Sequence, residues 1–164
     1  MNALVYGLIG IMRLRSGPED LPFSWKTTLL IVAGYLMVGV ITGQRLGDEN
    51  SATASLAAAV MQFSAVMIIL QIRKFPERLP QTLCALAGTG IMFTVLSFMF
   101  LSQADPDQQQ PMLLLAWFTV FFWSLMVDAH IYKNAFSITI AQGMLVAVLL
   151  LAFSYVLIEF AFKQ

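Results

Sequence analysis

Five long apolar stretches follow one another along this chain, with only short polar segments between them. They run roughly over Trp25–Gly43, Thr53–Ile72, Gln81–Leu101, Met112–Val127 and Ser137–Phe160. A transmembrane helix needs about 20 predominantly apolar residues. Only 11% of the 164 residues are charged, against about 25% in soluble domains, so the charges are too few to cover a globule in water. The sequence predicts an all-α fold, a polytopic transmembrane helical bundle of about five spans.

Residues 1–24 differ from this bundle in length and charge. The apolar run from Ala3 to Met12 is too short to span a bilayer. Its cations, Arg13 and Arg15, follow it, whereas positive charge precedes the apolar run in a cleavable signal peptide. We therefore expect a short helix over residues 2–15 that lies in the membrane interface or is tucked under the bundle. The predicted organisation is an interfacial helix and charged corner over 1–24 and a single five-span membrane domain over 25–164.

The charged corner, residues 13–22, holds two cations followed by two anions. Gly17 can end an incoming helix, and Pro18 suits the first position of a new helical turn. Ser16 and Glu19 have the spacing of a capping box. These signals predict a rigid corner in the chain.

Two interpretations of this corner are open. It is an ordinary turn whose charges stay in water, or it is a docking site for a partner protein or for lipid headgroups. We expect the cations to lie close enough to the anions to pair with them. The candidate interaction residues are Arg13, Arg15, Pro18, Glu19 and Asp20.

Small residues at four-residue intervals mark the spans that are expected to pack closely, because such residues let two helix backbones approach. Close packing within the chain and self-association are both compatible with this pattern. The predicted packing residues are Gly39, Gly43, Ser55, Ala59, Gly143 and Ala147.

Polar side chains inside the spans are few. Gln62 should face protein and form an interhelical hydrogen bond. The alternative is a polar path through a small transporter or channel, lined by Gln62, Gln71, Thr89, Thr94 and Gln142. Convergence of these five side chains on one cavity would favour the transporter.

Reactive chemistry is sparse. Asp128 and Glu159 fall near predicted span ends, which argues against a pump. An enzyme acting on lipid headgroups would need Asp128, His130 and the basic loop 73–80 to share a pocket. The single cysteine, Cys84, has no metal-ligand companions, and no phosphate-binding loop or hydrolase motif is present in the sequence. We expect a protein that is not an enzyme and binds no metal or cofactor.

The cations predict the orientation. With a cytoplasmic N-terminus, seven of the nine cations lie in inside segments: Arg13, Arg15, Lys26, Arg73, Lys74, Arg78 and Lys133. Only Arg45 and Lys163 lie outside. Short cytoplasmic loops are enriched in Lys and Arg, so we expect the N-terminus inside and the C-terminus outside.

The juxtamembrane run Arg15-Ser16-Gly17-Pro18-Glu19-Asp20-Leu21-Pro22, followed by five spans with short loops, resembles the bacterial branch of the Yip1-domain family. The resemblance implies a small multi-pass protein of the bacterial inner membrane, without catalytic residues. We expect an accessory, assembly or scaffold subunit of a membrane complex. Its expected partners are membrane lipids and other integral membrane proteins or a second copy. Zero formal net charge gives no reason to expect nucleic-acid binding.

Overall fold

Six helices form the computed structural model, which describes residues 2–45, 51–104 and 110–162. Their bounds are α1 Asn2–Met12, α2 Trp25–Arg45, α3 Ser51–Ile72, α4 Leu79–Leu101, α5 Pro111–Phe136 and α6 Ile140–Phe162. Short 3-10 turns at Pro18–Asp20 and Pro76–Arg78 precede α2 and α4. Five of the helices are long and apolar enough to cross a membrane. The predicted all-α, multi-pass membrane fold is confirmed.

The five long helices form a closed ring. α2 packs against α3 and α4, α3 packs against α6, and α5 packs between α4 and α6. α3 also makes smaller contacts with α4 and α5. The ring interior holds large side chains such as the stacked rings of Tyr132 and Phe136. The outward faces carry exposed apolar side chains, among them Leu30 at 74% and Phe160 at 77% exposure. Because water would penalise such a surface, these faces are suited to lipid.

The short helix α1 is tucked against the bundle. It contacts α4 and α5, and its Leu8 and Ile11 are buried. Leu8 lies against Gly88, where an added Cβ would come within 2.8 Å of its methyl groups. Gly88 lies nine residues into α4, which corresponds to about 14 Å along the helix axis. α1 therefore packs alongside the first half of α4 rather than beneath the spans.

Three helices end in the same way at the end of the bundle that carries the charged corner. The residue after the last turn has a left-handed conformation at Leu14 (φ 58°), Lys74 (φ 62°) and Ser137 (φ 53°). The next residue then donates its N–H to a carbonyl five positions back, at 2.9 Å for α1, 2.9 Å for α3 and 3.0 Å for α5. This is the Schellman motif, which usually has glycine at the left-handed position. The prediction that Gly17 ends the first helix is wrong, since Leu14 ends it.

The fourth span is longer than the sequence predicted. We expected it to end near Val127, but α5 continues to Phe136. Asp128, His130 and Lys133 are therefore helical residues rather than a wet end of the span. His130 contacts Ser16 and Asn134, and Asp128 lines a cavity between helices, which hydropathy along the sequence does not register.

Candidate functional site

The backbone of the charged corner is tied to the bundle by two side chains. Gln81 Nε2 donates to the carbonyl oxygens of Glu19 at 3.2 Å and Leu21 at 2.8 Å. His130 Nε2 lies 3.0 Å from the carbonyl oxygen of Ser16. When Nε2 carries the ring proton, His130 donates a hydrogen bond to this carbonyl, which can only accept. α4 and α5 thus fix the path of the corner from Ser16 to Leu21.

Apolar contacts and a third donor reinforce this attachment. Trp123 Nε1 donates to the carbonyl oxygen of Met12 at 2.9 Å, at the end of α1. Leu21 is 2% exposed, and Pro18 is buried. The predicted interaction residue Pro18 is therefore part of the packed underside of the corner rather than its accessible surface.

The charged side chains of the corner point outward. Arg13, Arg15, Glu19 and Asp20 are all exposed. No ion pair joins either arginine to either carboxylate within the part of the chain that the structure describes. The expected pairing is therefore wrong.

The predicted capping box is shifted by one residue. Asp20 Oδ2, rather than Glu19, accepts from the backbone, taking the N–H of Gly17 at 2.9 Å. The 3-10 turn starts at Pro18, so its N-cap is Gly17 rather than Ser16. The carboxylate of the exposed residue Glu19 lies over Gly17, where an added Cβ would overlap it.

The basic loop beside the corner has a structural role. Arg73 and Arg78 donate to the last carbonyl groups of α5, which have no partner within their own helix. Arg78 Cζ also lies 4.2 Å from the centre of the Phe75 ring. These two arginines therefore close a helix end, and they differ in this from Arg13 and Arg15.

The predicted small-residue positions lie between helices. A Cβ added at Gly39 would lie 3.8 Å from Ser55 Cβ, and Gly39, Ser55 and Ala59 line one cavity between α2 and α3. Gly43 is buried. At the α5–α6 contact, a Cβ at Gly143 would overlap the carbonyl oxygen of Ala129. Ala147, one turn further along α6, is 5% exposed.

The five polar side chains proposed for a transport path separate in the structure. Gln62 Nε2 donates to Tyr132 Oη at 2.9 Å, which confirms the expected interhelical hydrogen bond. Thr89 donates to the carbonyl of Ala85 within its own helix. Gln71 is exposed, and Gln142 Oε1 accepts from the N–H of Thr139 at the start of α6. Of the five, Thr94 lines the polar cavity described next.

A cavity of about 300 Å³ lies between α2, α4 and α5. Its lining combines hydroxyls, aromatic rings and one carboxylate: Tyr35, Gly90, Phe93, Thr94, Ser97, Phe98, Leu101, Ser124 and Asp128. Hydropathy did not predict this group of residues, because it ended the fourth span at Val127, before Asp128. The usable signal was spacing, since Ser124 and Asp128 are four residues apart and Thr94 and Ser97 three apart, and such pairs share a helix face.

The two groups of the proposed headgroup enzyme do not meet. Asp128 lines the polar cavity, while His130 contacts Ser16 and Asn134 at the charged corner. No residue of the basic loop lines that cavity. Across residues 2–45, 51–104 and 110–162, no three His, Cys, Asp or Glu side chains come together as metal ligands. Cys84 is buried within the hydrophobic core of the bundle.

In comparisons with protein-family models, curated proteins and solved structures, this chain matches none. The resemblance of residues 15–22 to the Yip1-domain family therefore stays an expectation based on those residues. Functional inference depends on the charged corner and on the polar cavity.

Proposed function

We propose that this multi-pass membrane protein is a non-enzymatic accessory or assembly subunit that docks another integral membrane protein through its charged corner. The supporting observation is that the corner combines a firmly held backbone with exposed charged side chains. The backbone of the corner is held by Gln81, His130 and Trp123, while Arg13 and Arg15 project from it without an ion pair among the described residues. A backbone that is held in place before binding reduces the conformational entropy that is lost on binding.

The chemistry of the corner suggests the partner. A planar guanidinium binds a carboxylate in a bidentate manner, so Arg13 and Arg15 suit an acidic segment next to a membrane span. Glu19 lies on the same exposed corner and suits a basic residue beside that segment. Mixed charge favours a protein partner over an anionic lipid surface, which would be repelled by the two carboxylates.

The membrane and orientation form part of this proposal. We place the protein in the bacterial inner membrane, with the corner on the cytoplasmic side. The support is the segregation of seven cations toward one side of the predicted topology, together with the resemblance stated above. These seven cations lie near helix ends on the side of the bundle that carries the corner.

The test is co-purification from native membranes in mild detergent, with a photo-crosslinking residue introduced at Phe23, an exposed position directly after the corner. Wild type is compared with Arg15→Ala and Arg15→Lys at matched expression. Exposed ion pairs contribute only about 0–1 kcal/mol to folding, so both variants should insert and accumulate. We expect the crosslinked partner to be lost with Arg15→Ala and reduced with Arg15→Lys, which lacks the bidentate fork.

Arg45→Ala is the matched control, because Arg45 is an exposed cation at the opposite end of α2. It should leave the partner yield unchanged. Equal yields for wild type and both Arg15 variants would contradict docking at the corner. Retention that depends on Arg15 only when anionic lipid is supplied would assign the corner to headgroups instead.

The alternative function, a transporter with a polar path lined by five predicted side chains, has less support than docking. Its five proposed lining residues separate, with only Thr94 reaching the polar cavity.

A further inference from the structure

The polar cavity between α2, α4 and α5 has the composition of a binding site. We propose that it binds a small organic ammonium ion, with the carboxylate of Asp128 as its counter-charge. This inference does not rest on the docking function, because the cavity and the charged corner share no residue.

The charge of the cavity selects a cation. Asp128 lies eight residues before the end of α5, or about 12 Å along the helix from its last residue. No Lys, Arg or His is among the residues that line the cavity. Ionisable side chains within membrane spans normally pair with an opposite charge or mark a substrate site. An anionic ligand would meet only repulsion from Asp128.

The hydroxyl groups around Asp128 are available to a ligand. Within the described parts of the chain, the side chains of Tyr35, Thr94, Ser97 and Asp128 make no hydrogen bond. Ser124 differs, because its Oγ donates to the carbonyl of Phe121 at 2.8 Å. Sheltered polar groups in proteins are nearly always hydrogen-bonded. Three N–H donors of a primary ammonium could be shared between the carboxylate and these oxygens.

The size and the rings of the cavity favour an organic cation over a bare metal ion. A volume of about 300 Å³ is at the lower end of small-molecule sites, and far exceeds one ion with a close oxygen shell. Phe93 and Phe98 supply apolar and aromatic lining. Aromatic faces attract ammonium groups and pack against alkyl chains.

The walls of the cavity are held in place before any ligand binds. A Cβ at Gly90 would come within 2.7 Å of the Tyr35 ring, so this glycine lets the ring lie directly on α4. Phe93 packs edge-on against Trp123, with ring centres 5.2 Å apart. Tyr35 also packs against Phe63 of α3, at 5.9 Å between centres. Such packing fixes the ring positions that a ligand would meet.

The cavity extends toward the end of the bundle opposite the charged corner. The lining runs from Gly90, near the middle of α4, to Leu101, its last residue, a distance of about 16 Å along the helix. A second cavity of about 220 Å³ shares Tyr35 and Thr94 with the first. Under the predicted topology, the ligand would enter from the periplasmic side.

The test measures thermal unfolding of purified protein in detergent, using the buried Cys84 as reporter. A maleimide dye reacts with this cysteine as it becomes exposed, since it is the sole cysteine of the chain. A ligand that binds the folded state raises the unfolding temperature with its concentration. Butylammonium chloride is compared with butanol, sodium butyrate and sodium chloride at equal ionic strength.

We expect a saturable rise in unfolding temperature with butylammonium and none with the other three solutes. Asp128→Asn should weaken the apparent affinity by about tenfold or more, as expected for loss of a charged hydrogen-bond partner. Ser97→Leu, which fills the cavity and keeps the charge, should abolish the effect. Thr119→Leu is the control, because Thr119 is exposed on α5 and outside the cavity lining.

The proposal is overturned if butanol or sodium chloride stabilises the protein as well as butylammonium does. It is also overturned if Asp128→Asn keeps the wild-type affinity. If Asp128→Asn does not accumulate as folded protein, Ser97→Leu decides the question. Retained binding in that variant would place the ligand elsewhere, and lost binding beside an unaffected Thr119→Leu supports the site.

Discussion

The guanidinium of Arg73 donates two hydrogen bonds to the carbonyl oxygen of Phe136, at 3.0 Å from Nη2 and 3.3 Å from Nε. This contact joins the end of α3 to the end of α5. It places a positive charge at a helix C-terminus, where the macrodipole and the unpaired carbonyls favour a cation. Arg78 makes a similar set of contacts. Arg73 and Arg78 therefore stabilise the packing of the bundle in addition to indicating its topology.

Arg78 should contribute more to stability than an ordinary surface cation. Its Nη1 lies 3.1 Å from the Asn134 carbonyl, 3.2 Å from that of Ala135 and 2.8 Å from Ser137 Oγ. Arg78→Ala should lower the unfolding free energy in detergent by about 1–2 kcal/mol, and Arg78→Lys should recover only part of it. Unfolding is followed through Cys84 reactivity. Lys26→Ala, at an exposed position, is the control, and equal losses for both alanine variants would contradict the capping role.

Lys74 offers a stabilising substitution. Its φ of 62° places it in the left-handed region, which costs a residue with a Cβ about 1–2 kcal/mol. Lys74→Gly should therefore raise stability by up to about 1 kcal/mol, less the added entropy of the unfolded chain. Glu77→Gly, in the neighbouring 3-10 turn, should be neutral or destabilising. A loss of stability with Lys74→Gly would show that the lysine side chain has a role of its own.

Two glycines of the predicted packing set should respond differently to alanine. At Gly143 the new methyl group would overlap the carbonyl oxygen of Ala129, whereas at Gly39 it would meet Ser55 at an ordinary 3.8 Å. Gly143→Ala should cost about 1–3 kcal/mol through overpacking, and Gly39→Ala should be tolerated. Gly43→Leu, at a buried position, should also be destabilising. Thermal unfolding of the three variants measures these changes in stability. If Gly143→Ala left the stability unchanged, α6 would be able to move away from α5 at no cost.

The topology prediction can be tested with reporters. Fusion after Gln164 should report the periplasm, and insertion into the Arg73–Pro80 loop should report the cytoplasm. The helix α6 begins three residues after Ser137, which contacts Arg78, and then runs for 23 residues away from that loop. Two reporters on the same side would be incompatible with three membrane spans between the loop and the C-terminus.

The sequence predicted which helices exist more accurately than it predicted where they end. Hydropathy located all five spans because each is apolar enough to require lipid. The prediction failed at α5, where it ended the span near Val127 although the helix continues to Phe136. The polar residues of that extension face other parts of the protein, as in the contact of His130 with Ser16. The environment of His130 is thus set by a residue 114 positions away.

The charged corner likewise has features that the sequence predicts and features that only helix packing decides. The charged corner was visible as a run of charge next to Gly17 and Pro18, but its expected internal ion pairs do not form. Its path is set instead by donors from α4 and α5, such as Gln81. Sequence spacing cannot supply these partners, because they become neighbours only when the spans pack.

The sequence by itself determined that this chain is an all-α membrane protein with five spans and a charged corner before the first, because composition and the length of apolar runs act locally. Tertiary structure alone decided which polar groups meet. Tyr35, Ser97 and Asp128 come from three different helices and reach one cavity only because the ring brings α2, α4 and α5 together. Hydropathy is a property of each segment, whereas a site is a property of how segments pack.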